Sequence, residues 1–219
     1  MPEPGPQEAV VRIRRAGICG TDVHAYRGRY DRVPITLGHD ASGEVTALGS
    51  DITSEHLAVG QRVTVEPMLS CGACNRCRAG HRQLCPSSGY LGMTCDGVFA
   101  DYIALPADRL VPLPETVSDN TATALEPVAV ALHMIDRISG FTGLTPVAHV
   151  IGAGPLGVLL AQTIIAAGWQ VTLYEPLAVG GRGRAVGHGA LRAGDPPRDE
   201  RLGDARTDHH APIPAAPDA

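Results

Sequence analysis

The sequence predicts a mixed α+β and α/β fold. A β-rich, loop-rich lobe over residues 1–140 leads into the opening of a doubly wound parallel sheet over residues 141–176. Three observations predict it. Short β-branched runs separated by Gly and Pro turns fill the first 115 residues. Residues 118–138 have the length and the Ala/Leu content of one or two helices. Val147–Ile151, then GAGPLG, then Val158–Ala167 reads as strand, glycine turn and helix.

In chain order, the strand-like stretches are Val10–Arg14, Gly43–Leu48, Arg62–Glu66 and Phe99–Leu105. Ser118 or Asp119 supplies a side-chain oxygen to cap the first helix. Gln170–Tyr174 is the second strand of the β-α-β unit, and the sheet is expected to stop there. Past Pro176 about half of residues 177–219 are Gly, Pro or Ala, with few branched apolar side chains. Such a segment buries too little apolar surface to offset its ordering entropy, so a disordered tail is expected.

Composition excludes several classes. The chain has 219 residues, a net charge of −5 and 18 basic residues, all of them Arg. An acidic balance without Lys clusters argues against a nucleic-acid binder. No apolar run reaches the ~18 residues of a membrane span. The start, MPEPGPQEAV, has neither the basic nor the apolar region of a secretory leader, so a reducing cytoplasm is expected. Six Cys in that setting read as metal ligands or reactive thiols rather than disulfides.

The strongest local signal is Cys71, Cys74, Cys77 and Cys85, spaced x2, x2 and x7. Four thiolates with no open position make a structural zinc site. Free thiols and an iron–sulfur cluster are the alternatives, but the bacterial cluster motif has x3 where this chain has x7. A second constellation lies in GICGTDVH (17–24) and GHDASG (38–43), where Cys19 and His39 are a soft thiolate and an imidazole suited to zinc. Glu126, in LEPVAVALH, offers a carboxylate as third ligand. Three protein ligands and one open position make a catalytic zinc, which acidifies a bound hydroxyl.

Gly152, Gly154 and Gly157 form G-x-G-x-x-G between strand and helix. The first allows the tight turn, the second lets a pyrophosphate approach the backbone, and the third lets helix and strand pack closely. Glu175 ends the second strand, 18 residues after Gly157. An acid there accepts the ribose 2′-OH and repels a 2′-phosphate, which favours NAD over NADP.

GICGTDVH, GHDASG, the four-cysteine lobe, GVFADY, EPVAVALH and GAGPLG, in that order over about residues 3–176, closely resemble the zinc-dependent medium-chain alcohol dehydrogenases. The resemblance implies a GroES-like catalytic domain followed by a Rossmann domain. It implies two zinc ions per chain, NAD, a small alcohol or polyol as substrate, oxidation of a secondary alcohol to a ketone, and a homo-oligomer. It places Cys19, His39 and Glu126 at catalytic-zinc ligand positions, and Glu rather than Cys at the third resembles the polyol branch. Asp40 stands where the family usually has Glu, an acid beside the metal that serves as an alternative ligand; the shorter Asp reaches less far. Thr21 matches the hydroxyl that takes the substrate proton, His24 the outer member of the relay, and Asp22 the acid that orients His39.

The chain also departs from the family, whose members are longer than 219 residues, and the family's first hairpin is expected to be missing here. Residues past Pro176 match nothing in the family. A truncated chain whose reading frame shifts near residues 177–180 is therefore the expectation. The alternatives are an inactive zinc-binding fragment and a zinc-ribbon interaction module.

Overall fold

The computed structural model describes residues 1–30, 35–52, 57–138, 147–175 and 184–185. The core of the first lobe is an antiparallel five-stranded sheet built from β1 (Glu8–Gly17), β2 (Asp40–Leu48), β3 (Arg62–Val65), β6 (Tyr102–Pro106) and β7 (Leu110–Pro112), in the order β6-β1-β2-β3-β7. Between β1 and β2 runs the helix α1 (Gly20–Tyr26). Its core is made of Val11, Val45, Val63, Leu91, Val98 and Ile103, with no aromatic side chain at its centre. Branched side chains suit a pleated, half-buried surface, and each fully buried one contributes about 1.5–3 kcal/mol. β1 pairs with β2 through two register shifts, between Val10 and Val11 and between Ile13 and Arg15. Gly43 sits where they meet, and a Cβ there would run into Val11 and the Arg12 carbonyl. The register ends with Gly17 opposite Asp40, which brings Cys19 beside the start of β2.

A small excursion projects from this sheet. It consists of the pair β4 (Met68–Leu69) and β5 (Gly89–Tyr90), the helix α2 (Asn75–Arg78) and a 3-10 turn at Arg82–Leu84. After β7 come α3 (Asp119–Ala122) and α4 (Leu125–Ile138). Ser118 caps α3, its Oγ accepting the Thr121 N–H at 3.0 Å.

The second unit holds β8 (Val147–Ile151), α5 (Pro155–Ala166) and β9 (Gln170–Glu175), with β8 and β9 parallel. Ile135 of α4 packs with Val150, Ala161 and Ile164 into a second apolar cluster. No helix among the described residues is long and apolar enough to cross a membrane.

Three sequence expectations need correction. The strand predicted from Phe99 begins at Tyr102. Gly97, Val98 and Phe99 instead donate their N–H groups to the carbonyls of Thr36, Gly38 and Leu37 at 2.8–3.0 Å, a non-local pairing that removes them from the main sheet. The helix predicted from Val158 begins at Pro155, because Pro at the first helical position needs no hydrogen-bond partner. The sheet does not stop at two strands: β10 (Arg184–Ala185) pairs antiparallel with β9, opposite Tyr174 and Glu175. The rest of the 177–219 tail lies outside the described residues.

Candidate metal centres and nucleotide turn

The four-cysteine lobe gathers its sulfurs through backbone turns. Cys71 Sγ accepts the Cys74 N–H at 3.4 Å, Cys74 Sγ accepts the Cys77 N–H at 3.5 Å, and Cys85 Sγ accepts the Cys71 N–H at 3.5 Å. Donors aimed at sulfur favour the thiolate. The Ala73 and Cys74 N–H groups push the Cys71 thiol down to about 6, whereas burial pushes Cys77 up to about 11. Cys71 Sγ lies 3.9 Å from Cys77 Sγ and 3.6 Å from Cys85 Sγ. All four sulfurs lie within 4.8 Å of one another. A tetrahedral zinc with ~2.3 Å bonds to sulfur separates its ligands by about 3.8 Å. The donor set and its spacing fit a single zinc ion.

Buried Arg109 secures the base of this lobe, and sequence reading missed it. Its guanidinium pairs with Glu66 at 2.8 Å and Asp108 at 2.7 Å, and it donates to the Met68 carbonyl at 3.3 Å. Nothing in the local run ADRL marks an arginine as buried.

The second constellation is assembled by Asp22. Its Oδ2 accepts the Cys19 N–H at 2.8 Å and its Oδ1 accepts the Gly38 N–H at 3.0 Å. Gly38 has φ of 92°, and a Cβ there would meet the Phe99 ring. Only glycine combines that backbone conformation with that close approach. Cys19, His39 and Asp40 result as a group in which one ligand atom of each lies within 4.8 Å of the others. His39 and Asp40 are 2% and 7% exposed.

His39 Nδ1 faces Asp22 Oδ1 at 3.6 Å, beyond hydrogen-bonding distance, and Nε2 lies 3.4 Å from Thr21 Oγ1. His39 Nδ1, Asp40 Oδ1 and His24 Nδ1 are buried with no hydrogen-bond partner among the described residues. Leaving such an atom unpaired costs about 1–3 kcal/mol. Burial pushes Asp40 up to about 6; the His39 ring opposes the shift, and the Glu126 and Asp22 charges add to it. Thiolate, imidazole and carboxylate with an unpaired carboxylate oxygen fit a zinc ion.

The structure places Asp40 and Glu126 differently with respect to this group. Asp40 reaches the group formed by Cys19 and His39 despite its short side chain. Glu126, in the first turn of α4, belongs to no group of three metal-ligating side chains among the described residues. Its Oε1 accepts the Tyr90 hydroxyl at 3.0 Å. The Tyr90 ring meets the His39 ring edge-on, with centroids 5.3 Å apart. Burial and the Glu126 charge push the Tyr90 hydroxyl well above its ordinary value. Sequence reading missed Tyr90, because its partner lies 36 positions along the chain.

The glycine turn brings its three glycines to distinct tasks. Gly152 has φ of 105° and donates its N–H to the Tyr174 carbonyl at 2.7 Å. Gly154, in an extended conformation, is the residue before α5. A Cβ at Gly157 would run into the Gly152 carbonyl. Glu175 lies against this turn, its Oε2 accepting the Ala153 N–H at 2.8 Å.

Residues 5–115 match the family described as the alcohol dehydrogenase GroES-like domain. An L-threonine 3-dehydrogenase of Legionella pneumophila (strain Corby) is 36% identical over 171 residues, 75% of this chain and 48% of the relative. The crystal structure of galactitol-1-phosphate dehydrogenase from Escherichia coli superimposes with a TM-score of 0.73 at 32% identity, covering 79% of this chain and 50% of that one. A protein described as a short chain alcohol dehydrogenase from E. coli CFT073, solved with NADH, gives a TM-score of 0.72 at 34% identity, covering 79% of this chain and 50% of that one. The chain spans about half the length of the curated relatives it matches.

Proposed function

This chain belongs to the zinc-dependent medium-chain alcohol dehydrogenase family, and from that premise we propose that it serves the NAD-linked oxidation of a secondary or polyol hydroxyl to a ketone. The observation that carries this reading is the buried group of Cys19, His39 and Asp40 beside the Thr21 hydroxyl. Two relatives support the substrate class. One is named for the 3-position of threonine, a secondary alcohol, and the other for a sugar-alcohol phosphate.

When bound, zinc supplies Lewis-acid activation of the substrate hydroxyl, and NAD supplies the hydride acceptor. The chain's own residues do the rest. Cys19, His39 and Asp40 hold the ion, and Asp22 fixes the segments that carry Cys19 and His39. Thr21 Oγ1 accepts the substrate proton. His24, one helical turn along α1, passes it outward from its half-buried side chain. Cys71, Cys74, Cys77 and Cys85 hold a second, structural zinc. Gly152, Gly154 and Gly157 shape the pyrophosphate turn, and Glu175 favours NAD over NADP through the ribose 2′-OH. In this reading residues 1–140 form the catalytic domain and residues 141–176 belong to the nucleotide-binding domain.

A second reading is zinc binding without turnover, because the four-cysteine lobe and the group of Cys19, His39 and Asp40 gather their ligand atoms without the nucleotide turn. One preparation separates the two. Zinc content is measured on the purified chain, and NADH formation is followed with sorbitol, 2,3-butanediol and threonine. Two zinc ions per chain with alcohol-dependent NADH formation is the expected result. Two zinc ions without NADH formation selects the second reading, and zinc at the four-cysteine site alone rejects the catalytic centre.

A further inference from the structure

We propose that Tyr90 is a positioning residue that holds the Glu126 carboxylate off the metal position, leaving Cys19, His39 and Asp40 as the ligands and a fourth position open. This rests on the zinc reading of that group given above.

Four observations carry it. Two carboxylates approach this region, Asp40 directly and Glu126 through Tyr90, whose ring meets His39, yet among the described residues only Asp40 joins the metal-competent group. The Glu126 oxygen is engaged by the Tyr90 hydroxyl at 3.0 Å. Tyr90 is itself anchored independently of α4: its N–H donates to Thr94 Oγ1 at 2.7 Å, and it pairs with Met68 across the β4–β5 hairpin. Its ring also rests edge-on against His39, so the phenol is fixed relative to the ligand group rather than to Glu126.

The chemistry follows from these anchors. Coordination through Glu126 Oε1 competes with the phenol for that oxygen, and a phenol fixed against His39 restrains the carboxylate it holds from turning its other oxygen toward the ion. Removing the hydroxyl removes that competition and leaves the carboxylate near a cation with an open position. A site with two available carboxylates tolerates loss of one; a site with one does not.

The test is a cobalt(II) titration of the full chain with its four-cysteine site already filled by zinc, read from the cobalt visible absorption. Asp40→Asn should weaken cobalt binding at least tenfold. Adding Tyr90→Phe to that variant should restore most of the loss, as Glu126 takes the vacated role. Adding Glu126→Gln as a third change should abolish the recovery. If D40N/Y90F binds cobalt no better than D40N, Tyr90 does not restrain Glu126 and the inference is overturned. Recovery that survives E126Q overturns it equally. If the unsubstituted chain takes up no cobalt beyond its four-cysteine site, the zinc reading itself fails and the inference falls with it. That result is visible before any variant is compared.

Discussion

Asp22 Oδ1 accepts the Gly38 N–H at 3.0 Å, and this bond ties the helix that follows Cys19 to the segment that carries His39. The other oxygen takes the Cys19 N–H at 2.8 Å. One carboxylate thus satisfies two backbone donors nineteen residues apart. It also faces His39 Nδ1 at 3.6 Å.

Replacing Asp22 by Ala leaves both N–H groups without their acceptor in a nearly closed environment. Hydrogen bonds to a charged acceptor contribute about 1.5–3 kcal/mol each, so Asp22→Ala should lower stability by roughly 3 kcal/mol. Asp22→Asn keeps one acceptor oxygen and should lose about half as much. Urea midpoints of the metal-free chain measure both. Equal, negligible losses would show that Asp22 does not join the segments.

Asp40 gives a pH dependence whose sign is fixed by its burial. Its carboxyl is pushed up to about 6 in the folded chain, above its ordinary 3.8. Between those values the folded state binds more protons than the unfolded one. The metal-free chain therefore gains stability from this group as pH falls through about 6, and has lost that gain at pH 7. Asp40→Asn should stabilise the metal-free chain at pH 7 by about 1 kcal/mol after allowing for solvent screening, and should remove this part of the pH slope. In excess zinc the order should invert, with the unsubstituted chain the more stable, because binding to the folded state alone adds stability by mass action. Thermal midpoints at pH 5 and pH 7, with and without zinc, decide it.

How much of this was legible in the sequence depends on the distance between partners. The four-cysteine lobe was readable because its ligands lie within fifteen residues and are drawn together by local N–H···S turns. The β-α-β unit was readable because Gly152, Gly154 and Gly157 have backbone tasks that only small residues perform. Cys19 and His39 became a pair only through the family resemblance, since their meeting depends on the β1–β2 register and on Asp22. That Asp40 rather than Glu126 lies with Cys19 and His39 among the described residues was not legible. It turns on side-chain reach and on Tyr90, which arrives from a third element. The late start of β6 was hidden for the same reason, because the pairing of 97–99 with 36–38 leaves no local pattern.

Zinc binding at the four-cysteine lobe should weaken steeply with acid. Cys77 sits at about 11 without metal, so it is protonated at neutral pH and must release its proton on binding. Each displaced proton changes affinity tenfold per pH unit. Competition with a chelator at pH 6, 7 and 8 should therefore show at least a tenfold loss per unit of acidification. Cys77→Ser should remove most of the affinity, and a flat profile would mean that the lobe binds zinc without Cys77.

Gly157 offers the sharpest test of the nucleotide turn. A Cβ at this position would strike the carbonyl of Gly152, a backbone atom that cannot rotate away. Gly152 is itself held by its N–H bond to Tyr174 and by a φ of 105°, so the turn has little freedom to yield. The strain must then pass into the β8–α5 packing around Val150 and Ala161. Gly157→Ala should cost about 1–3 kcal/mol, the usual range for forced overpacking. The loss should be confined to the second unit, leaving zinc binding at the four-cysteine lobe unchanged. Hydrogen exchange of the β8 and α5 amides should accelerate while that of the β1 and β2 amides stays constant. Uniform acceleration would show that the two units unfold as one, and no acceleration would show that the turn accommodates a side chain that the Gly152 carbonyl should exclude.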